Sequence, residues 1–133
     1  MKEDIAVFLI SHEYLASALL KAVEKIIGPQ ENVFAYSNSK DSLPLLADKI
    51  TAQIQEIAAF HIVFFIDMMG GSCWALANMI RKKYPTSTII SGMNLPMLLS
   101  LFTSMDELSF DELVKKVKDN GIRGIQSIAG ESK

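Results

Sequence analysis

Two continuous apolar runs, Ile5-Ala-Val-Phe-Leu-Ile10 and Ile62-Val-Phe-Phe-Ile66, constrain this chain more than any other feature. Neither alternates with polar residues, so each reads as a strand covered on both faces, the pattern of a parallel sheet held between helices. Both fall far short of the ~18 apolar residues a membrane span requires.

The segments around them read as helices and shorter strands. From Glu13 the spacing turns helical, with Leu15, Leu19, Ala22, Val23 and Ile26 on one stripe. Gly28-Pro29 stops that helix. Val33-Phe-Ala-Tyr36 is a short second strand, and residues 37–42 form a polar loop. Asp41 or Ser42 caps a second helix, with Pro44 in its first turn and Leu43, Leu46, Ala47, Ile50, Ile54 and Ile57 on one face.

A third helix over 73–83 ends at Pro85. A fourth strand, Thr88-Ile-Ile90, and an apolar fourth helix over 95–102 follow. In the turn between them, Gly92 permits a tight exit from the strand, Asn94 caps and Pro96 fits the helix start. Ser109-Phe-Asp-Glu112 has capping-box spacing, and Phe110, Leu113, Val114 and Val117 form the stripe of a fifth helix that Gly121 is expected to cap.

Residues 122–128 read as a weak last strand, one at a sheet edge or paired with another chain. Strands alternating with helices imply right-handed βαβ units and a three-layer, doubly wound, mostly parallel α/β domain. No interior linker, repeat or low-complexity segment breaks it. Residues 1–133 are therefore expected to form one domain, with 130–133 a loose tail.

Composition excludes several classes of function. Thirteen basic residues against 15 acidic ones, scattered along the chain, leave no footprint for nucleic acid or an anionic membrane. Cys73 is the single cysteine, so neither an internal disulfide nor a Cys-rich metal site forms. Met-Lys-Glu-Asp carries two acids before a very short apolar run, which does not read as a secretory signal. A cytoplasmic protein with no membrane insertion is the expectation.

The chemistry concentrates where the two apolar runs end, at Ser11-His12 and at Asp67-Met-Met-Gly-Gly-Ser72. In an open parallel sheet the carboxyl ends of the strands are where ligands bind. A lone histidine after a strand would more often cap a helix than react. Asp67 alters that balance, because a carboxylate ending an apolar strand needs a partner. With the two strands adjacent, it would accept a hydrogen bond from one ring nitrogen of His12 and leave the other free to attack phosphorus.

Gly70 and Gly71 would present backbone amides, and Ser72 and Ser11 hydroxyls, to the phosphoryl oxygens. Positioning and electrostatics would suffice, with no metal or cofactor. Other chemistries fit less well. Ser72 lacks the second glycine of a G-x-S-x-G elbow. A receiver domain with a phosphoaccepting Asp67 would need an acidic pair where Ser11-His12 stands. No P-loop or G-x-G-x-x-G follows a strand.

Three ordered motifs resemble one family. Val7-Phe-Leu-Ile-Ser-His12 with Leu15-Ala16 and Leu19-Leu20 is similar to the opening of mannose-family IIA domains of the bacterial sugar phosphotransferase system. Phe65-Ile-Asp67-Met-Met-Gly-Gly-Ser72 resembles their Asp-Leu-Phe-Gly-Gly-Ser-Pro turn. Ile90-Ser-Gly-Met-Asn-Leu-Pro-Met-Leu-Leu99 resembles their Ser-Gly-Val-Asn-Leu-Pro-Met-Leu segment.

The resemblance implies sheet order 2-1-3-4, a phosphohistidine at Nε2 of His12 and Nδ1–H directed to Asp67. It implies HPr as phosphoryl donor, a IIB domain as acceptor, membrane IIC and IID subunits further on, and a homodimer that exchanges a C-terminal edge strand. The phosphotransfer subunit of dihydroxyacetone kinase and a regulatory phosphohistidine protein uncoupled from transport are alternatives within the same chemistry. Two departures stand out: Cys73 takes the place of the family's Pro, and Met68-Met69 that of Leu-Phe. The methionines and Trp74 would form an apolar docking rim or be buried in the monomer or dimer. Cys73 is expected to be inert packing, and His61 a surface or satisfied histidine at the far edge.

Overall fold

The computed structural model describes residues 4–131. Met1, Lys2 and Glu3 of the acidic start, and Ser132 and Lys133 of the expected tail, lie outside the described residues. Four strands, β1 (Ile5–Ser11), β2 (Val33–Ser37), β3 (His61–Ile66) and β4 (Ser87–Ser91), alternate with α1 (Leu15–Ile27), α2 (Leu43–Ile57), α3 (Gly71–Arg81) and α4 (Leu95–Ser104). A fifth helix, α5 (Phe110–Arg123), closes the order. The sheet runs β2-β1-β3-β4 and every pairing is parallel.

The unbroken apolar runs are explained by two cores. Alternate residues of β1 and β3 face opposite ways. Ile5, Val7, Leu9, Val63 and Phe65 pack with α1, α4 and α5 on one face. Ala6, Phe8, Ile10, Ile62, Phe64 and Ile66 pack with α2 and α3 on the other. All seven residues of β1 are fully buried, as its central place demands. Phe8 stacks on Phe34 and on Phe64, with centroids 5.5 and 5.6 Å apart, tying three strands on one face. Each such side chain stabilises the fold by about 1.5–3 kcal/mol.

Caps follow the residues expected to supply them. Ser42 Oγ accepts from the Leu45 N–H, Asn94 Oδ1 from the Met97 N–H, and Ser109 and Glu112 make a reciprocal capping box. Gly92 has φ +71 at the exit of β4.

Three expectations need correction. Helix α1 begins at Leu15, because Glu13 has φ +50 and breaks the right-handed helical path after His12. Gly121 does not cap α5; it is buried inside the helix, where an added Cβ would stand 2.6 Å from Met97 Cε. Its lack of a side chain serves close packing of α5 on α4. Because α5 runs on to Arg123, the strand expected over 122–128 does not form within the chain. Residues 125–131 have no regular structure, and Ile125 and Ile128 are 75% and 95% exposed. The outer edge of β4 is left without a neighbouring strand among the described residues.

Candidate functional site

Parallel pairing of β1 with β3 places Ile10 opposite Ile66, so His12 and Asp67 emerge side by side from the carboxyl edge of the sheet. Asp67 Oδ2 accepts both the His12 backbone N–H at 2.9 Å and ring Nδ1 at 2.7 Å. Its Oδ1 accepts the Met68 N–H at 2.9 Å. The carboxylate side chain is 11% exposed, whereas that of His12 is 47% exposed.

Burial pushes the Asp67 carboxyl up. The hydrogen bonds from the His12 backbone and ring, the attraction of the imidazole and the Met68 N–H together outweigh it and hold it below its ordinary range. Asp67 is therefore an ionised, acceptor-only group, which requires Nδ1 to carry the proton. In the neutral form of the half-exposed imidazole the lone pair is then on Nε2.

The turn after Asp67 has the glycine composition of an anion-binding nest. Gly70 and Gly71 have φ +80 and +78, conformations costly for any residue with a Cβ. They lead into α3, whose first N–H groups have no partner inside the helix. None of the N–H groups of Gly71, Ser72 and Cys73 donates to another described residue. Ser72 Oγ accepts from Asn38 Nδ2 at 2.9 Å. Asn38 lies just past β2 in the loop read from sequence only as polar. The placement of β2 beside β1 is what brings it to α3.

Ser11 plays a different part from the one expected. It is fully buried, and its Oγ accepts the Ala16 N–H at 2.7 Å while donating to the His12 carbonyl at 3.0 Å. Its hydroxyl is thus engaged within the β1–α1 turn, where it holds the His12 backbone rather than facing outward.

Cys73 is fully buried, with Sγ 3.9 Å from His12 Nδ1. Burial, then the charge of Asp67, push its thiol up to about 11, against a smaller lowering by Ser72. It is a neutral floor under the imidazole. His12 Nδ1, the Asp67 carboxylate and Cys73 Sγ lie within 4.8 Å of one another. However, Nδ1 and Oδ2 stand 2.7 Å apart. Two ligands of a tetrahedral zinc would stand about 3.3 Å apart. The spacing is that of a shared proton.

Of the apolar residues next to His12 and Asp67 in the chain, Tyr14, Leu15, Met68 and Met69 are all exposed, and Met69 is the most open at 65%. Trp74, by contrast, is part-buried against the core between α2 and α3. The Met93 N–H bonds the Ile66 carbonyl at 3.1 Å, so the Gly92–Asn94 turn braces the strand end that carries Asp67. His61 lies at the opposite edge, stacked on Phe110 with centroids 4.1 Å apart.

A family model described as the PTS system fructose IIA component matches residues 6–118. A sorbose-specific EIIA component of Lacticaseibacillus casei is 30% identical over 118 residues, covering 85% of each chain. The chain belongs to this IIA family. It is a phosphotransferase-system component of the mannose type. The mannose-specific EIIAB component of Escherichia coli K12 is 32% identical over 130 residues, 93% of this chain but 39% of that protein. A crystal structure of an EIIA component from Streptococcus agalactiae superposes with a TM-score of 0.84 at 24% identity, covering 92% of this chain and 96% of that one. No described helix is long and apolar enough to cross a membrane.

Proposed function

We propose that this IIA chain is a phosphohistidine carrier: His12 takes a phosphoryl group from HPr and passes it to a IIB domain, which serves sugar uptake through membrane IIC and IID subunits. The observation that carries the reading is the 2.7 Å contact between His12 Nδ1 and Asp67 Oδ2 on a ring otherwise half open to solvent. It supports Nε2 as the nucleophilic nitrogen.

In the transfer, the Nε2 lone pair attacks phosphorus while the P–N bond to the donor ring breaks, and that bond's electron pair returns to the donor. A donor ring protonated on its other nitrogen leaves as neutral imidazole. His12 keeps its Nδ1 proton and becomes a phosphoimidazolium, whose positive ring faces the Asp67 carboxylate. The Gly71–Cys73 N–H groups and the Ser72 hydroxyl receive the phosphoryl oxygens, helped by the positive end of α3. Transfer to the IIB domain is the same step reversed in direction.

On this reading the chain acts in the cytoplasm as a single domain over 1–133. It forms a homodimer in which residues 125–131 cross to the open edge of β4 of the partner. Supporting the exchange, Ile122, Ile125 and Ile128 are all exposed and the first two line a groove of about 460 Å³ along β4.

The test is phosphorylation by labelled phospho-HPr. Wild type should take label as an acid-labile, base-stable phosphohistidine, and His12→Ala should take none. Label persisting in His12→Ala, or found on Asp67, would overturn the assignment.

A further inference from the structure

Asn38 makes two bonds that join three separate segments of the chain. Its backbone N–H donates to the Ser11 carbonyl at 3.1 Å, which pins the loop after β2 to the end of β1. Its side-chain amide donates to Ser72 Oγ at 2.9 Å, reaching the first turn of α3. The loop itself is braced, since Ser37 Oγ donates to Ser39 Oγ at 2.9 Å and accepts the Ser39 N–H at 3.1 Å. Ser72 Oγ is also a hydrogen-bond partner of the Cys73 thiol, whose sulfur is 3.9 Å from His12 Nδ1, so the bonded hydroxyl is linked to the ring through one side chain.

A serine hydroxyl has one proton and two lone pairs, while an amide nitrogen can only donate. With Asn38 donating, one lone pair of Ser72 is occupied and the O–H proton is left to donate, with the Cys73 sulfur within its reach and a phosphoryl oxygen the stronger acceptor. Donation into an oxygen also polarises it and strengthens the bond its own proton makes. We propose that Asn38 is a positioning residue for phosphoryl transfer, setting Ser72 Oγ so that its proton points to the phosphoryl oxygens; this rests on the phosphocarrier reading. Preorganised donors of this kind act without reorientation when charge shifts in the transition state.

Asn38→Ala removes the amide and keeps the backbone bond to Ser11. Asn38→Asp keeps size and shape but replaces the donor with an acceptor, so Ser72 must turn its proton toward the new carboxylate. Single-turnover transfer from phospho-HPr should slow about tenfold in Asn38→Ala and about 100-fold in Asn38→Asp, with donor KM unchanged. In Ser72→Ala, adding Asn38→Ala should slow transfer no further, an outcome a general structural role would not produce. Thermal unfolding of each variant reports whether the fold is kept.

A full additional slowing in the double variant, or an Asn38→Asp chain as fast as wild type, would overturn the role of Asn38 while leaving the carrier reading intact. A wild-type chain that takes no label from phospho-HPr would overturn both.

Discussion

Asp67→Asn is the substitution that most directly tests the logic of the site. The carboxylate accepts three hydrogen bonds, two on Oδ2 from His12 and one on Oδ1 from the Met68 N–H. Asparagine has nearly the same shape but only one oxygen, so its NH2 must face a backbone donor in either orientation. With the amide oxygen toward His12, both His12 bonds survive, the Met68 N–H is orphaned and the charge is lost. With the oxygen toward Met68, the NH2 meets Nδ1, which then accepts, and the ring proton moves to Nε2.

The first orientation keeps both His12 bonds but removes the negative charge that faces the phosphoimidazolium, a loss of about 1.5–3 kcal/mol, or about 10–100-fold in rate. The second blocks the nucleophilic nitrogen itself, and a reversed histidine tautomer in a catalytic triad costs about 10⁴-fold. Rapid-quench transfer from phospho-HPr should therefore slow at least tenfold, and ¹⁵N spectra of His12 will show which orientation holds. Transfer within threefold of wild type would refute the reasoning.

The pH dependence carries a sign of its own. The Asp67 carboxyl is held below its ordinary value of 3.8. Its ionised form therefore stabilises the fold fully above that value, and the contribution is lost as pH falls through the lower folded value. Asp67→Asn should flatten this part of the acid limb in denaturant titrations.

Three further outcomes follow from local geometry. Cys73, buried and with its thiol pushed up to about 11, should resist alkylation by iodoacetamide at neutral pH and react only after unfolding; rapid native labelling would contradict the packing described. A Cβ on Gly124 would stand 2.6 Å from Pro96 Cγ, and a proline ring cannot rotate aside. Gly124→Ala should lower unfolding free energy by about 1–2 kcal/mol, with Pro96→Ala in the same chain recovering most of it. Deleting residues 125–133 should convert a dimer into a monomer by sedimentation, and an unchanged dimer would place the interface elsewhere.

Much of this fold is visible in the sequence because β1 and β3 are buried on both faces, leaving no polar residue to blur the runs. The caps at Ser42, Asn94 and Ser109 are equally visible, since each satisfies donors within three residues of itself. What was hidden depends on contacts distant in the chain. Gly121 looks like a helix cap until Met97 is seen against it. Glu13 carries no local sign of its positive φ. Asn38 is one polar residue among several until the sheet order sets β2 beside β1 and its amide within reach of Ser72. The strand expected over 122–128 gives way to α5, which runs on to Arg123, and to irregular backbone over 125–131.

The cysteine at position 73 shows how such a site tolerates a change at its centre. Where the resembling turn has proline, φ at the helix start is set by a ring. Here the same residue is held instead by complete burial in the core between α2 and α3, and the residue before it is tied across to Asn38. The exchange would still be harmful if it brought a charge under the imidazole. Burial and the neighbouring Asp67 carboxylate prevent that, because both favour the protonated thiol. A thiolate at 3.9 Å would compete with Asp67 for the Nδ1 proton; a neutral thiol does not. The carboxylate that orients His12 therefore also protects its own hold on the ring.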